Sequence, residues 1–422
     1  MTRRALEEFA ARRLSNVPKT TVWSEMTPLA LEYKAVNLGQ GFPTFHPPDF
    51  VMKHVASVVT DEAAPLNHQY CRMFGHFELV NPLRSIYAKR LQRDIQPMEL
   101  MVTNGVTQGL NLCCQAFLQS GDECVVFEPY FDLYGNDIEM AGATVQLIPM
   151  VPSTTHANEW KFSEELLRSK ITSKTKAILL NNPQNVPGKV WSLEELKVVA
   201  AVAQEHDLLV FADEVYMSLV YDGLEHVSIA SLPGMFERTI TMCSAGKTFS
   251  CTGYKIGWVV APEAFIIPLS QVQAHQSFSI ATPLQIAVGR SLVDAETCGY
   301  YEKLVSTYSA KRGALVKALT DAGLQVVMPA GGYFALADIS RVDESHYVDP
   351  TETSVGRDWQ FCRWMTKVIG VNAIPTTAFC SPESRPQLEK FVRFAFCKKD
   401  EDIAEAGVRL QKLQAYFKSQ PQ

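Results

Sequence analysis

The sequence predicts an α/β fold in which helices flank a mainly parallel central sheet, followed by a smaller α+β unit. Between about residues 100 and 300, short runs of β-branched and apolar residues alternate with longer amphipathic segments. Such alternation is typical of parallel sheets that carry helices on both faces. At 422 residues the chain also exceeds the size that one hydrophobic core usually fills, so about two domains are expected.

Six strands and two helices are predicted in the alternating region. The strands are expected at residues 101–103, 123–127, 177–180, 208–212, 239–242 and 258–260, and the helices at residues 107–119 and 193–205. In sheets of this kind ligands bind beyond the carboxyl ends of the strands. The chemically unusual residues of this chain follow those ends.

The pattern changes after about residue 300. We predict a long helix over residues 300–322 with Gly323 as its stop signal, a turn at Gly331 and Gly332, a short strand and a final helix over residues 402–417. The polar stretch at residues 342–357 has no periodicity and is expected to be a loop. We therefore divide the chain into an N-terminal segment (1–45) that joins the small domain, a large domain (46–300) and a small C-terminal domain (301–422).

Charge and cysteine content narrow the class of protein. A net charge of -6 offers no basic surface to nucleic acid or to an anionic membrane. No stretch reaches the roughly 20 apolar residues that a membrane helix needs. The ten cysteines lie mostly in apolar runs without the spacing of a disulfide framework or a metal site, which favours reduced thiols and no bound metal.

The N-terminus carries four arginines within its first 13 residues, as many mitochondrial transit peptides do. Glu7 and Glu8 interrupt this stretch, whereas transit peptides are poor in acidic residues. We therefore predict a helix at the N-terminus and a cytoplasmic protein, with a mitochondrial location as the open alternative.

Lys247 follows a predicted strand within TMCSAGKTFSCTGYKIGW, residues 241–258. Burial next to a strand lowers the pKa of a lysine and makes it a nucleophile toward carbonyl groups. The plain alternative is a solvated loop lysine. A nucleotide-binding P-loop would need glycine where Thr241 stands, so that interpretation fails.

Three further segments suggest charged ligands. VTNGVTQGL at residues 102–110 joins a strand to a helix through Gly105, and backbone N–H groups at such a helix start bind anions. Asp213 directly follows a buried strand, where a carboxylate needs a partner unless it is a helix N-cap. Arg393 lies between apolar neighbours in FVRFAF, so an anionic partner is expected.

Residues 244–258 match the pattern S-x-x-K…R/K-x-G-W, and the chain resembles the class I and II aminotransferases that depend on pyridoxal 5'-phosphate (PLP). The resemblance implies fold type I, with a large PLP-binding domain and a smaller α+β domain built from both termini. It implies that Lys247 forms a Schiff base with PLP and moves a proton between the substrate Cα and C4' of the cofactor.

The same resemblance implies the residues that surround PLP. The phosphate would be held by Ser244, Lys255 and the backbone N–H groups of Gly105, Val106 and Thr107. Asp213 would pair with the pyridine nitrogen, and Tyr216 and Asn185 would hydrogen-bond the phenolic oxygen. Phe131 would stack on the ring, with simple core packing as the alternative.

The resemblance also implies how substrate binds. Arg393 would bind the α-carboxylate, together with Asn185 and the loop that carries Gly41, and Trp23 would lie beside the substrate side chain. Tyr70 in HQYCRMFGH would reach the phosphate of a neighbouring subunit, which implies a homodimer with shared active sites.

Two positions depart from the family pattern. Thr44 stands where family members carry aspartate, which affects the contacts that close the N-terminal loop. In NNPQNVPG the usual proline after Asn185 is Val186, and the peptide bond between them is either trans or an unusual cis bond before a non-proline.

The strings VNLGQGFP, SIASLPGM with ERT, and SAGKTFS are similar to those of the kynurenine aminotransferase/glutamine transaminase K subgroup, also called cysteine conjugate β-lyase. The resemblance implies ping-pong transfer from glutamine, methionine, kynurenine or an aromatic amino acid to a 2-oxo acid. Thr107, Ile280 and Ala281 replace larger ring-bearing residues, so glutamine and methionine are expected to outperform kynurenine. The alternatives are a β-lyase that uses the same Lys247, and an inactive PLP-fold binding or regulatory protein.

Overall fold

The computed structural model describes residues 11–14, 17–18 and 20–418. The helix predicted at the N-terminus begins in residues 1–10, which lie outside the described residues. The chain forms three sheets within the described part, of seven, four and two strands.

The strands are β1 Val36–Asn37, β2 Leu100–Asn104, β3 Glu123–Glu128, β4 Thr144–Pro149, β5 Thr175–Asn181, β6 Leu209–Asp213, β7 Thr239–Ser244, β8 Ile256–Val260, β9 Gln325–Val327, β10 Phe334–Asp338, β11 Val371–Asn372, β12 Ile374–Pro375 and β13 Phe391–Ala395. The helices are α1 Val22–Glu32, α2 Asp49–Val59, α3 Phe77–Leu91, α4 Gly105–Phe117, α5 Leu133–Met140, α6 Glu164–Ser169, α7 Leu193–Glu205, α8 Ala245–Thr248, α9 Glu263–Gln276, α10 Thr282–Thr297, α11 Tyr300–Asp321, α12 Arg357–Trp364, α13 Arg385–Leu388 and α14 Asp400–Leu410.

The seven-stranded sheet has the order β2-β8-β7-β6-β5-β3-β4. Every neighbouring pair from β7 to β4 is parallel, whereas β8 is antiparallel to both β2 and β7. The prediction of a mainly parallel sheet is therefore confirmed. Because β8 alone runs in the opposite direction, its first residue lies at the same edge as the carboxyl ends of the other six strands.

The N-terminal and C-terminal parts of the chain meet in the two-stranded sheet. The four-stranded antiparallel sheet has the order β12-β13-β10-β9 and consists wholly of residues after 300. Strand β1 pairs in parallel with β11, so an N-terminal strand joins the C-terminal part. The division at residues 45 and 300 agrees with this pairing but stays a prediction.

Most predicted elements match the observed ones, and the exceptions have physical reasons. Helix α7 has the predicted bounds because Ser192 and Glu195 form a capping box at its start. Strand β4 was missed because it is a partly exposed edge strand with no clean alternation. The final helix was expected to run from residue 402 to 417, but its α-helical part is Asp400–Leu410 and a 3-10 segment, Gln411–Tyr416, follows.

Other expectations concern what the chain lacks. All ten cysteines lie within the described residues, and none forms a disulfide. No helix in residues 11–14, 17–18 and 20–418 has both the length and the apolar character to cross a membrane. In the same residues, no cluster of three or more His, Cys, Asp or Glu side chains could hold a metal ion.

One close contact shows how tightly helices α3 and α10 pack against each other. Gly289 of α10 lies against α3, and a Cβ at this position would meet the carbonyl oxygen of Glu78 at 2.0 Å. Backbone atoms cannot move aside as a flexible side chain can. Gly313 of α11, by contrast, has no heavy atom within 4 Å of the corresponding Cβ position.

We therefore expect Gly289→Ala to lower the free energy of unfolding by roughly 1–3 kcal/mol, because an added methyl group overpacks the α3–α10 contact. The matched variant Gly313→Ala should raise stability by up to about 1 kcal/mol, since alanine is the better helix former. Thermal unfolding of both variants checks this. An unchanged Tm for Gly289→Ala would show that the two helices can separate at little cost.

Candidate active site

A cavity of about 320 Å³ lies at the carboxyl edge of the seven-stranded sheet. Thirteen of the fourteen site residues expected from the sequence line it, from the carboxyl ends of five strands, the start of β8, the N-terminal segment and β13: Trp23, Gly41, Gly105, Val106, Thr107, Phe131, Asn185, Asp213, Tyr216, Ser244, Lys247, Lys255 and Arg393. Tyr70 is the exception and is treated below.

The sheet topology explains why residues so distant in sequence meet. Gly105 follows β2, Asp213 ends β6, and Ser244 ends β7 just before Lys247. Lys255 directly precedes β8, whose antiparallel direction brings that lysine to the same edge. The strands are buried along most of their length, so the first polar side chains appear where each strand ends.

Lys247 lies in the single turn of α8. Its Nζ donates hydrogen bonds to the hydroxyl oxygen of Tyr333 at 2.6 Å and to the carbonyl oxygen of Gly41 at 3.3 Å. Burial lowers the pKa of Lys247 to about 8, and the nearby Asp213 carboxylate opposes this effect. The lysine is therefore available as a neutral amine at a lower pH than an exposed lysine is.

Asp213 is buried at the end of β6. One carboxylate oxygen accepts a hydrogen bond from the Tyr134 hydroxyl at 2.6 Å, and the other accepts one from the backbone N–H of Val215 at 3.1 Å. Burial raises the pKa of Asp213, while these two hydrogen bonds and Lys247 act in the opposite direction. The interpretation of Asp213 as a plain helix cap does not fit, because no α-helix starts there and its side chain faces the cavity.

Arg393 is a buried guanidinium in β13. Its Nη1 donates to the side-chain oxygen of Asn185 at 2.9 Å, and its Nη2 lies 3.5 Å from the carbonyl oxygen of Gly39. Within the described residues its Nε has no hydrogen-bond partner. Burial lowers the pKa of Arg393 to about 10. A buried guanidinium with an unused N–H donor at a cavity wall is suited to binding a carboxylate.

Aromatic rings hold this guanidinium in place. Its central carbon lies 3.9 Å from the ring centroid of Phe334, 4.4 Å from that of Phe379 and 5.6 Å from that of Trp23. The Trp23 indole N–H donates to Asp132 at 2.9 Å, which fixes the indole beside the cavity. These contacts stabilise the charge without neutralising it.

The cavity lining also contains the Gly105 turn and Lys255. Gly105 has a φ of +74°, and a Cβ there would lie 3.0 Å from Nζ of Lys255. A side chain would therefore strain the backbone and crowd the lysine. The N-terminus of α4 begins at this glycine, so backbone N–H groups, the helix dipole and an ammonium group share one small region.

The N-terminal loop closes one side of the cavity. A Cβ at Gly41 would meet the Phe334 ring at 2.4 Å, so the loop approaches β10 only because this residue is glycine. Thr44, which departs from the family pattern, donates to Asp402 at 2.9 Å and accepts from the backbone N–H of Lys399 at 2.9 Å. The threonine thus attaches the loop to the start of α14.

The structure adds three residues that the sequence did not single out. Tyr134 holds Asp213, Tyr333 holds Lys247, and the side chain of Asn181 accepts a hydrogen bond from the backbone N–H of Asn185 at 2.7 Å. Tyr134 lies three residues after Phe131 and Tyr333 directly follows Gly332, but no local pattern shows which distant group a tyrosine hydroxyl contacts.

Some expected positions lie outside the cavity. Tyr70 is 81% exposed and its ring packs edge-on against Phe278, 5.3 Å away. Ile280 and Ala281 also do not line the cavity of their own chain, whereas Thr107 does. The Asn185–Val186 bond is trans, and the cis bonds of the described residues precede Pro129 and Pro183.

Comparison with known proteins shows to which protein family the chain belongs. Residues 33–410 match the family model described as aminotransferase class I and II. The chain belongs to the class I and II aminotransferases. Kynurenine–oxoglutarate transaminase 3 of Homo sapiens is 40% identical over 418 residues, covering 96% of this aminotransferase and 90% of the relative. The kynurenine–oxoglutarate transaminase of Dictyostelium discoideum is 40% identical over 411 residues, covering 93% and 94%.

Solved structures show the same fold. Bna3p of Saccharomyces cerevisiae superposes with a TM-score of 0.92 at 32% identity, covering 97% of this aminotransferase and 99% of that chain. YbdL of Escherichia coli, for which a methionine aminotransferase function is described, gives 0.85 at 28% identity, covering 96% and 99%. The enzyme therefore has the fold of type I aminotransferases. Its relatives are transaminases, so amino-group transfer is favoured over β-elimination and over an inactive binding protein.

The cofactor of this family is PLP, and the charges of the cavity fit it. Lys247, Lys255 and Arg393 line the cavity with only one carboxylate, that of Asp213. The surplus positive charge at two opposite places suits a phosphate near Gly105 and a carboxylate near Arg393. The buried carboxylate of Asp213 suits a protonated ring nitrogen.

In the cofactor-free protein we expect Lys247 to react with an amine-directed acylating reagent with a midpoint near pH 8, because burial disfavours its ammonium form. In the denatured chain the same lysine should return to the ordinary value of about 10.4. Mass spectrometry of the Lys247 peptide across a pH series measures both midpoints. A native midpoint above the denatured one would show that Asp213 outweighs burial.

Proposed function

We propose that this aminotransferase moves the amino group of an uncharged L-amino acid to a 2-oxo acid by a ping-pong mechanism, with glutamine and methionine preferred over kynurenine. The observation that carries the proposal is the cavity lining, in which the charged residues are Arg393, Lys247, Lys255 and Asp213 and the others are uncharged.

We assign the cofactor contacts as follows. Ser244, Lys255 and the backbone N–H groups at Gly105, Val106 and Thr107 bind the phosphate, because they form the only cationic, N–H-rich corner among the lining residues apart from Arg393 and Lys247. Asp213 pairs with the ring nitrogen, and Tyr216 and Asn185 bind the phenolic oxygen. Phe131 packs against the ring.

When bound, PLP draws electrons from the substrate Cα and makes its proton removable. The amine of Lys247 would take that proton from Cα and deliver it to C4' of the cofactor. Arg393 holds the α-carboxylate, and Asn185 keeps the guanidinium oriented through their 2.9 Å hydrogen bond. Gly41 and the N-terminal loop cover the substrate and exclude water from Lys247.

The lining of the cavity supports the choice of amino donor. The uncharged residues of the cavity lining include Trp23, Phe42, Leu110 and Leu133, together with Thr107. The other two cations of the lining, Lys247 and Lys255, belong to the cofactor region in this assignment, so the chain's own lining offers no further cation for the side-chain carboxylate of aspartate or glutamate. An apolar thioether or an uncharged amide fits this environment better. The relatives named above are called kynurenine transaminases, which keeps kynurenine among the donors.

We further propose a homodimer in which Tyr70 serves the cavity of the neighbouring subunit. Tyr70 and Phe278 are 81% and 59% exposed, and they form an aromatic pair outside the cavity of their own chain. Exposed aromatic pairs of this kind are common in protein interfaces.

The ten unpaired cysteines support the cytoplasm as the compartment of this aminotransferase.

We expect kcat/KM for methionine and glutamine to exceed that for kynurenine by about tenfold, a typical discrimination for an apolar pocket. Aspartate should be a poorer donor still, because the cavity lining offers no cation to its side-chain carboxylate. Steady-state kinetics with the four donors and a panel of 2-oxo acids measure this. Thr107→Tyr should shift the preference toward kynurenine, whereas Thr107→Val, of nearly the same size, should not. A lead for kynurenine or aspartate in the unmodified enzyme would refute the proposal.

If Tyr70 of one subunit completes the active site of the other, a mixed dimer of two different variants should regain one intact site. Lys247→Ala should be inactive, and Tyr70→Phe should lose PLP more readily on dialysis. When the two variants are refolded together, each mixed dimer should contain one site with both Lys247 and a hydroxyl from Tyr70, so PLP retention returns. Tyr33→Phe, another exposed tyrosine (42%), is the control and should retain PLP. A monomeric enzyme, or no recovery on mixing, would contradict the proposal.

A further inference from the structure

Tyr333 is a fully buried tyrosine that lies between β9 and β10, directly before Phe334. Its ring packs edge-on against Tyr216, with centroids 5.1 Å apart, and nearly parallel to Tyr308 at 6.2 Å. These contacts leave the ring no freedom to turn, so its hydroxyl group has a fixed position in the site.

That hydroxyl joins two groups of the active site. It donates its hydrogen to the carbonyl oxygen of Gly41 at 2.6 Å, and it accepts a hydrogen bond from Nζ of Lys247 at 2.6 Å. Because its only hydrogen is used for Gly41, the oxygen can present only lone pairs to the lysine. The direction of the hydrogen bond is therefore determined by the N-terminal loop.

The arrangement also determines how a neutral lysine is oriented. A neutral amine has two N–H bonds and one lone pair. Tyr333 and Gly41 supply two acceptors, at 2.6 and 3.3 Å from Nζ. The two acceptors lie only 2.6 Å from each other, so both N–H bonds of the amine reach toward the same side of Nζ, and the lone pair then points away from Tyr333 and Gly41.

We propose that Tyr333 is a positioning residue for the transamination reaction: it orients the free amine of Lys247 so that the nitrogen lone pair faces the substrate Cα. It acts whenever the substrate amine has taken the place of the lysine on the cofactor. The inference goes beyond the proposed function because it holds for any amino donor.

Tyr333 is suited to orientation and not to proton transfer. Burial holds the pKa of its hydroxyl well above the ordinary value, and the neighbouring Tyr216, Cys397 and Tyr308 act in the same direction. The phenol therefore stays protonated over the working range of the enzyme. The proton from Cα is therefore carried by Lys247 and not by the phenol, and Tyr333 keeps the amine aligned before and after the transfer.

Tyr308 provides a matched control for this role. It is 1% exposed and stacks on Tyr333, yet its hydroxyl forms no hydrogen bond within the described residues. Tyr308→Phe therefore removes a buried phenolic oxygen from the same aromatic cluster without changing the contacts of Lys247. Tyr333→Phe keeps the ring and removes only the acceptor and the link to Gly41.

The test compares unmodified enzyme, Tyr333→Phe and Tyr308→Phe, each matched for PLP content and Tm. For Tyr333→Phe we expect kcat to fall about 10- to 100-fold, within the range that oriented proton transfer contributes. KM for the amino donor should be unchanged, and the isotope effect on kcat with α-deuterated donor should increase, because proton transfer becomes slower. Tyr308→Phe should match the unmodified enzyme in all three.

Labelling of Lys247 in the cofactor-free proteins separates orientation from protonation. Loss of the Tyr333 acceptor removes a hydrogen bond to the ammonium form, so the labelling midpoint should move below pH 8. If kcat of Tyr333→Phe falls although its Lys247 is neutral over a wider pH range, protonation does not explain the loss. The result then supports a loss of orientation. The proposal is overturned if Tyr333→Phe equals Tyr308→Phe in kcat and isotope effect, or if its defect lies only in KM or PLP content. Any transaminated donor serves, so an error in the proposed donor does not affect the outcome.

Discussion

Positive charge without matching negative charge gathers in one cavity of this protein. Lys247, Lys255 and Arg393 line it with the single carboxylate of Asp213, and the N-terminus of α4 adds further positive potential. Buried charges require partners, and here the protein itself supplies too few anions. We propose that the remaining partners are ligands, namely a phosphate near Lys255 and a carboxylate near Arg393. The architecture around the cavity maintains this imbalance.

The directions of the strands in the seven-stranded sheet bring the charged residues to one edge. Six strands bring their carboxyl ends to one edge, where Gly105, Asp213 and Ser244 appear, and the reversed strand β8 brings Lys255 there through its first residue. Arg393 approaches from a different sheet, held by aromatic rings and by Asn185. The phosphate end thus belongs to the large parallel sheet, and the carboxylate end is shared with the C-terminal sheet.

Lys247 stands where these parts meet. Its amine contacts the N-terminal loop through Gly41 and the turn before β10 through Tyr333, while its backbone belongs to the end of β7. Burial lowers its pKa to about 8, which provides a neutral amine, and the two acceptors give that amine a direction. Availability and orientation therefore come from separate features of the fold. Both depend on close packing of segments that are more than 80 residues apart in sequence.

The sequence by itself determined the fold class, the parallel sheet and most residues of the cavity. Periodicity marks strands and helices, and polar residues at strand ends mark a ligand site, while most of the individual cavity residues were implied by the resemblance to the aminotransferases. Helix α7 could be bounded from its own capping residues, and Lys247, Asp213 and Arg393 stood out because each is charged next to buried strands. Only the tertiary structure decided the edge strand β4, the trans bond after Asn185, and the contacts of Tyr134 and Tyr333. The hydroxyl of a tyrosine lies far from its backbone, and its partner comes from a distant segment, so its role depends on packing that no local pattern records.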